Sequence, residues 1–370
     1  MREGWEYKKF EACINKTPKP KQVKTEEYNS GTKYPIVSQE DKLISGYYDD
    51  ESYVFHIDSP VVIFGDHTRV LKYVDFDFVV GADGVKIISP KQELNAKFLL
   101  YYLQWYKIPN LGYSRHYKLL KELNIPLPPK STQLAIVSEL DKINELIHLK
   151  KEQLKDFDNL AQSIFYEMFG DPVENEMGWE VNQLKDISTI TSGYAFPSND
   201  FSEDNPIKVV KITNVGVNEF VTDVSSLPLS YSSKESFKVK CGDIVIALTR
   251  TIISNGVKRA LVPQSYDGAL LNQRVAAIAV MHSCTAKNYI YQLLGTSFVK
   301  QYIESHATAL NQPNLSITDL KRMPIPLPPL PLQHLFAQRI EQIEHQKAEV
   351  QKAIADLETL LASRMQYWFE

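Results

Sequence analysis

Few residues in this sequence stand at the spacings that catalysis requires. Asp66, His67 and Arg69 follow an apolar run and could form an acid–base cluster, but nothing of the kind recurs at the matching place in the second half. The sequence also lacks a GxxxxGK[ST] phosphate loop, a Gly-rich cofactor fingerprint, the Asn/Asp-Pro-Pro-aromatic motif of amino-methyltransferases, and HExxH or CxxC metal spacings. We therefore expect a protein that is not an enzyme and binds no cofactor and no metal.

The most informative stretch occurs twice. IPLPP stands at residues 125–129 and again at 325–329, and each copy leads into a long segment that has no Gly or Pro beyond its first turn. Because a diproline cannot be helical, each segment predicts a long helix that begins just after its leader. Ser131 or Thr132 is placed to cap the first helix, and Gly170 is placed to end it.

Apolar residues recur along both segments at alternating steps of four and three. This 3.5-residue repeat is typical of a coiled-coil seam. The predicted seam residues are Ile136, Leu140, Ile143, Ile147, Leu154, Phe157, Ile164 and Met168 in the first helix and Phe336, Ile340, Ile343, Val350, Ile354, Leu357, Leu361 and Trp368 in the second. Two separate helices in ordinary cores are the alternative, but equal phase and an identical leader favour helices that pair. Each seam spans about 50 Å at about 1.5 Å per residue.

The remaining parts of the chain also repeat. GWE opens the chain at residues 4–6 and recurs at 178–180, followed in each half by matching β-rich runs, VVIFGDHTR and FVVGADGVKIIS against IVIALTR and ALLNQRVAAIAV. The helix candidates NAKFLLYYLQWY and AKNYIYQLLGTSFVKQYI come next. We predict an α+β fold in which two globular α/β domains are separated by a long antiparallel two-helix coiled coil, with a pseudo-twofold internal repeat. The predicted segments are 1–124, 125–170, 171–177, 178–324 and 325–370, that is, domain, helix, linker, domain and helix.

Composition and charge limit the class of protein. The 370 residues suffice for two or three domains, and the hydrophobic content of 44% is ordinary for a globular protein. The acidic excess behind the net charge of −4 lies in the helices and linker, so the globular parts are slightly basic, which permits a DNA contact without requiring one. Three scattered cysteines, a charged N-terminus and the lack of a long apolar run predict a cytoplasmic protein that contacts no membrane.

Taken together, these motifs resemble the specificity subunit of type I restriction–modification systems, over nearly the whole chain. The resemblance rests on the IPLPP leaders followed by Gln133 and Gln333, on MFGDP at 168–172, on the GWE openings, and on TSGYAF at 191–196, CGDIVIALTR and LLNQRVAAI. It implies two target-recognition domains, each reading one half of a bipartite double-stranded DNA site, and a helix pair that sets their separation. It also implies partners, namely two methyltransferase subunits and motor–nuclease restriction subunits, which carry out methyl transfer and cleavage.

Candidate DNA-binding residues are loop residues of the types that pair with bases and phosphates. In the first domain they are Lys19, Lys21, Lys24, Arg69, Arg115, His116 and Lys118, and in the second Tyr194, Thr249, Arg250, Lys258, Arg259, Arg274, Asn311, Gln312 and Asn314. For each, a solvated charge or a satisfied turn residue is the alternative. Arg115 and Arg250 stand out because both occupy repeat-matched loop positions. Apolar helix residues off the seam either touch their own domain or dock a partner helix: Val137, Leu146, Leu160 and Phe165.

Two other functions stay open at this point. A coiled-coil scaffold that never meets DNA would keep every partner function after Arg115→Ala and Arg250→Ala. A recognition part detached from a fused restriction–methylation enzyme would be disfavoured by a neighbouring separate methyltransferase gene.

Overall fold

A computed structural model describes residues 4–82, 84–112, 114–223, 225–253, 256–281, 283, 285–306 and 314–370. It divides into two compact units. Unit 1 is Met1–Glu152 with Gln351–Glu370, and unit 2 is Gln153–Val350. Since both boundaries fall inside helices of 40 residues, each unit combines one globular domain with a part of each long helix.

Unit 1 contains the first domain, the beginning of the first long helix and the end of the second. Its elements are β1 (Glu6–Lys9), α1 (Phe10–Cys13), β2 (Tyr34–Val37), β3 (Gly46–Tyr48), β4 (Val54–Phe55), β5 (Val61–Gly65), β6 (Leu71–Val74), β7 (Phe78–Val80), β8 (Val85–Ile88), α2 (Ala96–Tyr106), α3 (Tyr117–Lys121), β9 (Asn124–Leu127) and α4 (Lys130–Phe169). The strands form the sheets β6-β5-β8 and β3-β2-β7-β4 and the pair β1-β9. Strand β5 is buried on both faces, because Val62 and Phe64 join the core around α2 whereas Val61 and Ile63 pack with the β7 residues.

Unit 2 contains the second domain, the end of the first long helix and the beginning of the second. Its elements are β10 (Glu180–Gln183), α5 (Leu184–Ile187), β11 (Ser188–Ser192), β12 (Ile207–Val210), β13 (Ser226–Leu227), β14 (Ile244–Ala247), β15 (Ile252–Ile253), β16 (Gly256–Val257), β17 (Arg259–Leu261), β18 (Leu270–Leu271), β19 (Val275–Val280), α6 (Lys287–Leu293), α7 (Ser297–His306), α8 (Ile317–Arg322), β20 (Pro324–Leu327) and α9 (Leu330–Phe369). The sheets are β11-β19-β14-β17 and β13-β12-β18, with the pairs β10-β20 and β15-β16.

The internal repeat is visible in the strand registers. Each GWE opening leads into a strand that pairs antiparallel with an IPLPP leader, with Glu6 opposite Leu127 in one domain and Glu180 opposite Leu327 in the other. Strands β2 and β7 are parallel, as are β12 and β18, and β5-β8 and β14-β19 are antiparallel. The two domains therefore share one pairing pattern.

A glutamine stands at the same place after each IPLPP leader, and its side chain makes the same hydrogen bonds in both halves. Gln133 is buried, accepts a hydrogen bond from the Asn95 amide at 2.8 Å and donates to the carbonyl of Pro128 at 2.9 Å. Gln333 does the same with the Ala286 amide at 2.8 Å and the Pro328 carbonyl at 2.8 Å. Each amide therefore joins the leader to the residue that precedes α2 or α6.

Replacing Gln333 by alanine is expected to destabilise unit 2 by about 1–3 kcal/mol, because the Ala286 amide and the Pro328 carbonyl lose a buried partner. Urea denaturation of the full chain measures the change. Gln338→Ala, at an exposed position of the same helix, serves as the control and should leave the midpoint unchanged. Equal effects of the two variants would contradict a structural role for Gln333.

The two long helices lie side by side and run in opposite directions within each unit. In unit 1, Arg364 donates to the Glu139 carboxylate, the Trp368 indole donates to it at 2.9 Å, and Lys151 pairs with Glu358 at 2.8 Å. Positions later in α4 thus meet positions earlier in α9. Every predicted seam residue is buried or half-buried. The predicted fold class, α/β domains in an internal repeat with a paired antiparallel helix set, is confirmed.

In unit 2 the same antiparallel arrangement holds. Lys347, which interrupts the predicted seam, bonds to Asp158 at 2.9 Å. Nearer the leader, the rings of Phe165 and Phe169 pack on Phe336 with centroids 5.8 and 5.1 Å apart. The end of α4 is therefore fixed to the start of α9 by an aromatic cluster.

Helix boundaries differ from the sequence predictions in two places. Helix α4 begins at Lys130, and the Pro129 carbonyl already accepts from the Gln133 amide, so Ser131 lies in the first turn instead of capping it. The helix predicted after residue 286 is split into α6 and α7 around Gly295, where a Cβ atom would lie 2.1 Å from the Arg259 guanidinium. Gly170, with φ +74°, ends α4 as predicted. None of the helices in the described ranges is long and apolar enough to cross a membrane.

The Glu139 contact makes the stability of unit 1 depend on pH. The hydrogen bond from Arg364 outweighs the effect of burial and lowers the pKa of Glu139. A carboxylate with a lowered folded-state pKa stabilises fully above its unfolded pKa, about 4.3, and this stabilisation disappears as the pH falls through the folded value. We expect the variant Glu139→Gln to lack this decrease in stability at acid pH. Urea denaturation midpoints between about pH 3 and about pH 7 measure the difference. Parallel pH profiles for the variant and the wild type would contradict this role of Glu139.

Candidate nucleic-acid interface

Three loops of the first domain are joined at one edge by backbone hydrogen bonds. The Asp66 amide, just after β5, donates to the Gly84 carbonyl before β8 at 2.7 Å, and the His116 amide before α3 donates to the Asp66 carbonyl at 2.9 Å. We call the described residues of these loops (66–69, 81–84 and 114–116) edge 1.

The second domain joins the corresponding loops by the same two bonds. The Leu248 amide, just after β14, donates to the Arg274 carbonyl at 2.8 Å, and the Leu315 amide before α8 donates to the Leu248 carbonyl at 2.9 Å. These residues (248–250, 272–274 and 314–316) form edge 2. The two patterns align Arg274 with Gly84 and Asn314 with Arg115, so Arg115 and Arg250 occupy different loops of the shared framework.

Several predicted DNA-binding residues of the second domain meet at edge 2. Arg250 and Arg274 are exposed, and the Asn314 side-chain oxygen accepts from the Arg250 amide at 3.2 Å. Thr249 is half-buried in the same loop. Lys258 is half-buried, and burial, followed by the charge of Arg250, lowers its pKa. Edge 2, with the neighbouring Lys258, therefore combines positive charge with side chains of the types that hydrogen-bond to bases.

The backbone at edge 2 is strained where the arginines stand. Arg250 has φ +47° and Arg274 has φ +69°, a left-handed conformation that costs a residue with a Cβ about 1–2 kcal/mol. The residue of edge 1 that aligns with Arg274 is Gly84, with φ +99°, and a glycine adopts such an angle without this cost. The second domain thus places an arginine side chain where glycine would be more stable, and such strain is typical of functional sites.

Among the described residues, edge 1 carries fewer exposed charges than edge 2. Arg115 is exposed, as is Lys118 in the adjoining helix α3 outside the edge, whereas Arg69 (φ +63°) is half-buried and donates from Nη1 to the Ile108 carbonyl at 3.2 Å. The Asp66 carboxylate is buried and accepts from the Tyr117 amide at 2.7 Å. Asp66 and Arg69 are thus engaged with separate backbone groups, and they do not form the acid–base pair that the sequence allowed. In the described part of the chain, no group of His, Cys, Asp and Glu is arranged to hold a metal.

Two of the predicted DNA-binding residues are buried, so their predicted contact with DNA is wrong. His116 is 0% exposed, and its ring bonds to the Asp66 carbonyl at 2.9 Å and to the Leu111 amide at 3.0 Å. Arg259 is 4% exposed and donates from Nε to the Tyr291 carbonyl at 2.7 Å. Both side chains face the domain interior, so neither can reach a DNA groove.

The remaining predicted DNA-binding residues lie beside the edges or outside the residues that the structure describes. Tyr194 is half-buried, packs on Phe196 and Phe237 with centroids 5.0 and 5.2 Å apart, and accepts the Gln273 amide of edge 2 on its carbonyl. The first-domain lysines outside the three loops are exposed on the segment beside β7: Lys19, Lys21 and Lys24. Asn311 and Gln312 lie outside the described residues.

A family comparison agrees with this repeated architecture. The family described as "Type I restriction modification DNA specificity domain" matches residues 2–156 and 176–359. The chain belongs to this family. Each matched stretch holds one domain and at least the beginning of its long helix, so the family domain occurs twice, and the predicted family is confirmed.

Similar proteins carry the same description. This family member is 29% identical over 265 residues to the type I restriction enzyme MjaVIII specificity subunit of Methanocaldococcus jannaschii, covering 66% of this chain and 62% of that protein. The match thus spans less than two thirds of that relative. The S subunit of a type I restriction-modification system from M. genitalium has a TM-score of 0.52 at 16% identity, covering 99% of this chain and 96% of that one. A chain from the solved structure "Structural basis underlying complex assembly and conformational transition of the type I R-M system" has a TM-score of 0.53 at 18% identity, covering 100% and 98%. The two structural likenesses show the fold.

Two polar side chains at or next to the edges of this specificity-domain protein were not among the candidates chosen from the sequence. Lys86 lies 3.6 Å from the buried Asp66 carboxylate and 5.9 Å from the centre of the Tyr117 ring, next to edge 1. Gln273 is exposed on edge 2 beside Arg274. A signal for Gln273 was present, because it belongs to the LLNQRVAAI motif and glutamine is a favoured partner of adenine. Lys86 lies within a strand and gave no such signal.

Proposed function

We propose that this chain reads a bipartite double-stranded DNA site, with edge 1 contacting one half and edge 2 the other. The observation that carries the proposal is the shared framework of three loops. The same two backbone bonds hold the loops in both domains, while the side chains on them differ, with Arg115 replaced by Asn314 and Gly84 by Arg274. A common scaffold with different base-pairing side chains suits two different half-sites.

We further propose that α4 and α9 set the separation of the two half-sites. A helix of 40 residues extends about 60 Å at about 1.5 Å per residue. That length corresponds to about 17 base pairs at about 3.4 Å each. The ion pairs and aromatic contacts between the helices within each unit favour a stiff pair, as a fixed spacing requires.

Methyl transfer and DNA cleavage are proposed to be carried out by partners, namely two methyltransferase subunits and motor–nuclease subunits. The helices offer apolar surface for docking. Four leucines of these helices are exposed, Leu146 by 48%, Leu160 by 46%, Leu149 by 56% and Leu360 by 45%. Val137 and Phe165, in contrast, belong to the cores of unit 1 and unit 2, which leaves only part of the off-seam set for a partner.

Selection from a random duplex library tests the reading function. The full chain, alone and assembled with a methyltransferase subunit of a type I system, should enrich two short motifs separated by a constant number of unspecified base pairs. Enrichment without any motif would overturn the proposal as non-specific binding, and no enrichment at all would overturn it in favour of the coiled-coil scaffold. The lengths of the motifs and of the gap can then be compared with methylated positions in the host genome.

A further inference from the structure

Arg259 is a buried cation for which DNA reading has no use. It opens strand β17, and its guanidinium stacks on the Tyr291 ring with 4.7 Å between the guanidinium carbon and the ring centre. Among the residues that the structure describes, Nε alone has a protein acceptor, the Tyr291 carbonyl at 2.7 Å. A guanidinium has five N–H donors, so the Nη groups retain donors that no carbonyl or carboxylate of the described chain accepts.

No carboxylate of the described residues forms an ion pair with Arg259. The charge of one carboxylate, Asp158, acts on Arg259, but this carboxylate lines the same cavity and is paired with Lys347 at 2.9 Å. Burial lowers the pKa of the Arg259 guanidinium, but an arginine keeps its charge in proteins. A buried charge without a counter-charge is costly, which makes this position favourable for an anion.

The guanidinium faces a cavity of about 640 Å³ within unit 2, lined by α4 on one side and by loops of the second domain on the other. Gly295 forms the wall behind the guanidinium, and a Cβ atom there would lie 2.1 Å from Nη2. The glycine therefore permits the guanidinium to lie flat against the backbone. The lining also includes the neutral polar side chains of Gln162, Asn218, Gln292 and Thr296 and two charged ones, Lys155 and the Asp158 carboxylate, which pairs with Lys347.

We propose that this cavity binds a small oxyanion of the carboxylate or phosphate class, with Arg259 as its charged ligand and the side-chain amides as neutral donors. The planar fork of a guanidinium matches the two oxygens of such an anion, and low exposure strengthens the pairing. A bound anion would join α4 to the second domain within unit 2. The inference does not depend on DNA reading, and each can fail without the other.

Isothermal titration calorimetry of the full chain with sodium phosphate and, separately, sodium acetate at constant ionic strength tests the site. Saturable binding of either anion is expected, and the stronger of the two identifies the chemical class. Arg259→Gln should weaken it about tenfold or more. Arg339→Gln removes the same charge at an exposed position of α9 and should change it less than about twofold. Absence of saturable binding by both anions, or equal weakening by both variants, would overturn the proposal.

A second measurement needs no variant and covers the case in which Arg259→Gln does not fold. Crystals of the wild-type chain grown with selenate are examined for anomalous scattering. A selenium peak beside the Arg259 guanidinium and Gly295 is expected. If calorimetry shows that phosphate binds, selenate located only at other positions, or not bound, would contradict the site.

Discussion

An Arg274→Gly variant is expected to bind the cognate duplex about ten- to a hundredfold more weakly while the second domain becomes about 1 kcal/mol more stable. Arg274 is exposed on edge 2 with φ +69°, and the aligned residue of edge 1 is already a glycine. Glycine should therefore preserve the backbone and relieve its strain, and only the side chain is lost. A single change that separates stability from binding distinguishes a base-reading residue from a structural one.

The control for this variant is Lys107→Gly. Lys107 is also basic, exposed and left-handed, with φ +49°, but it lies at the end of α2 outside both edges. It should gain similar stability and change affinity by less than about threefold. Fluorescence anisotropy at one fixed salt concentration measures binding, because affinity for DNA depends steeply on salt. Unchanged affinity of Arg274→Gly would remove Arg274 from the interface, whereas a loss of stability would contradict the strain argument.

Replacing Phe369 by alanine is expected to destabilise unit 1 by about 3–5 kcal/mol. The ring is 8% exposed and packs on Phe98, Tyr102 and Trp105 with centroids 5.5, 5.7 and 6.0 Å apart. A large effect would show that the end of α9 is part of the core of the first domain.

Leu360→Ala is the matched control, since Leu360 is a large apolar residue of the same helix that is 45% exposed. It should cost at most about 0.5 kcal/mol. Urea denaturation gives the overall change, and amide hydrogen exchange in β5 and α2 assigns it to unit 1. A Phe369→Ala cost below about 1 kcal/mol, or lost protection confined to α9, would contradict the packing described for Phe369.

Local patterns alone predicted the framework of this protein. The IPLPP leaders and the 3.5-residue repeat predicted the long helices, because diprolines and apolar periodicity act over a few turns of chain. The matching order of β-rich runs predicted the internal repeat, since equal patterns fold into equal elements. Gly170 predicted the end of α4, because a left-handed residue after a helix favours glycine.

Contacts between distant segments decided what the sequence could not. The loop-joining hydrogen bonds align Arg115 with Asn314 and Gly84 with Arg274, and because these bonds connect segments that are remote in sequence, no local pattern predicted the alignment. His116 and Arg259 looked available to DNA, yet both point inward to backbone carbonyls of segments that are remote in sequence. Residue type and spacing determined the elements of this protein, whereas the direction in which each polar side chain points depended on the tertiary packing around it.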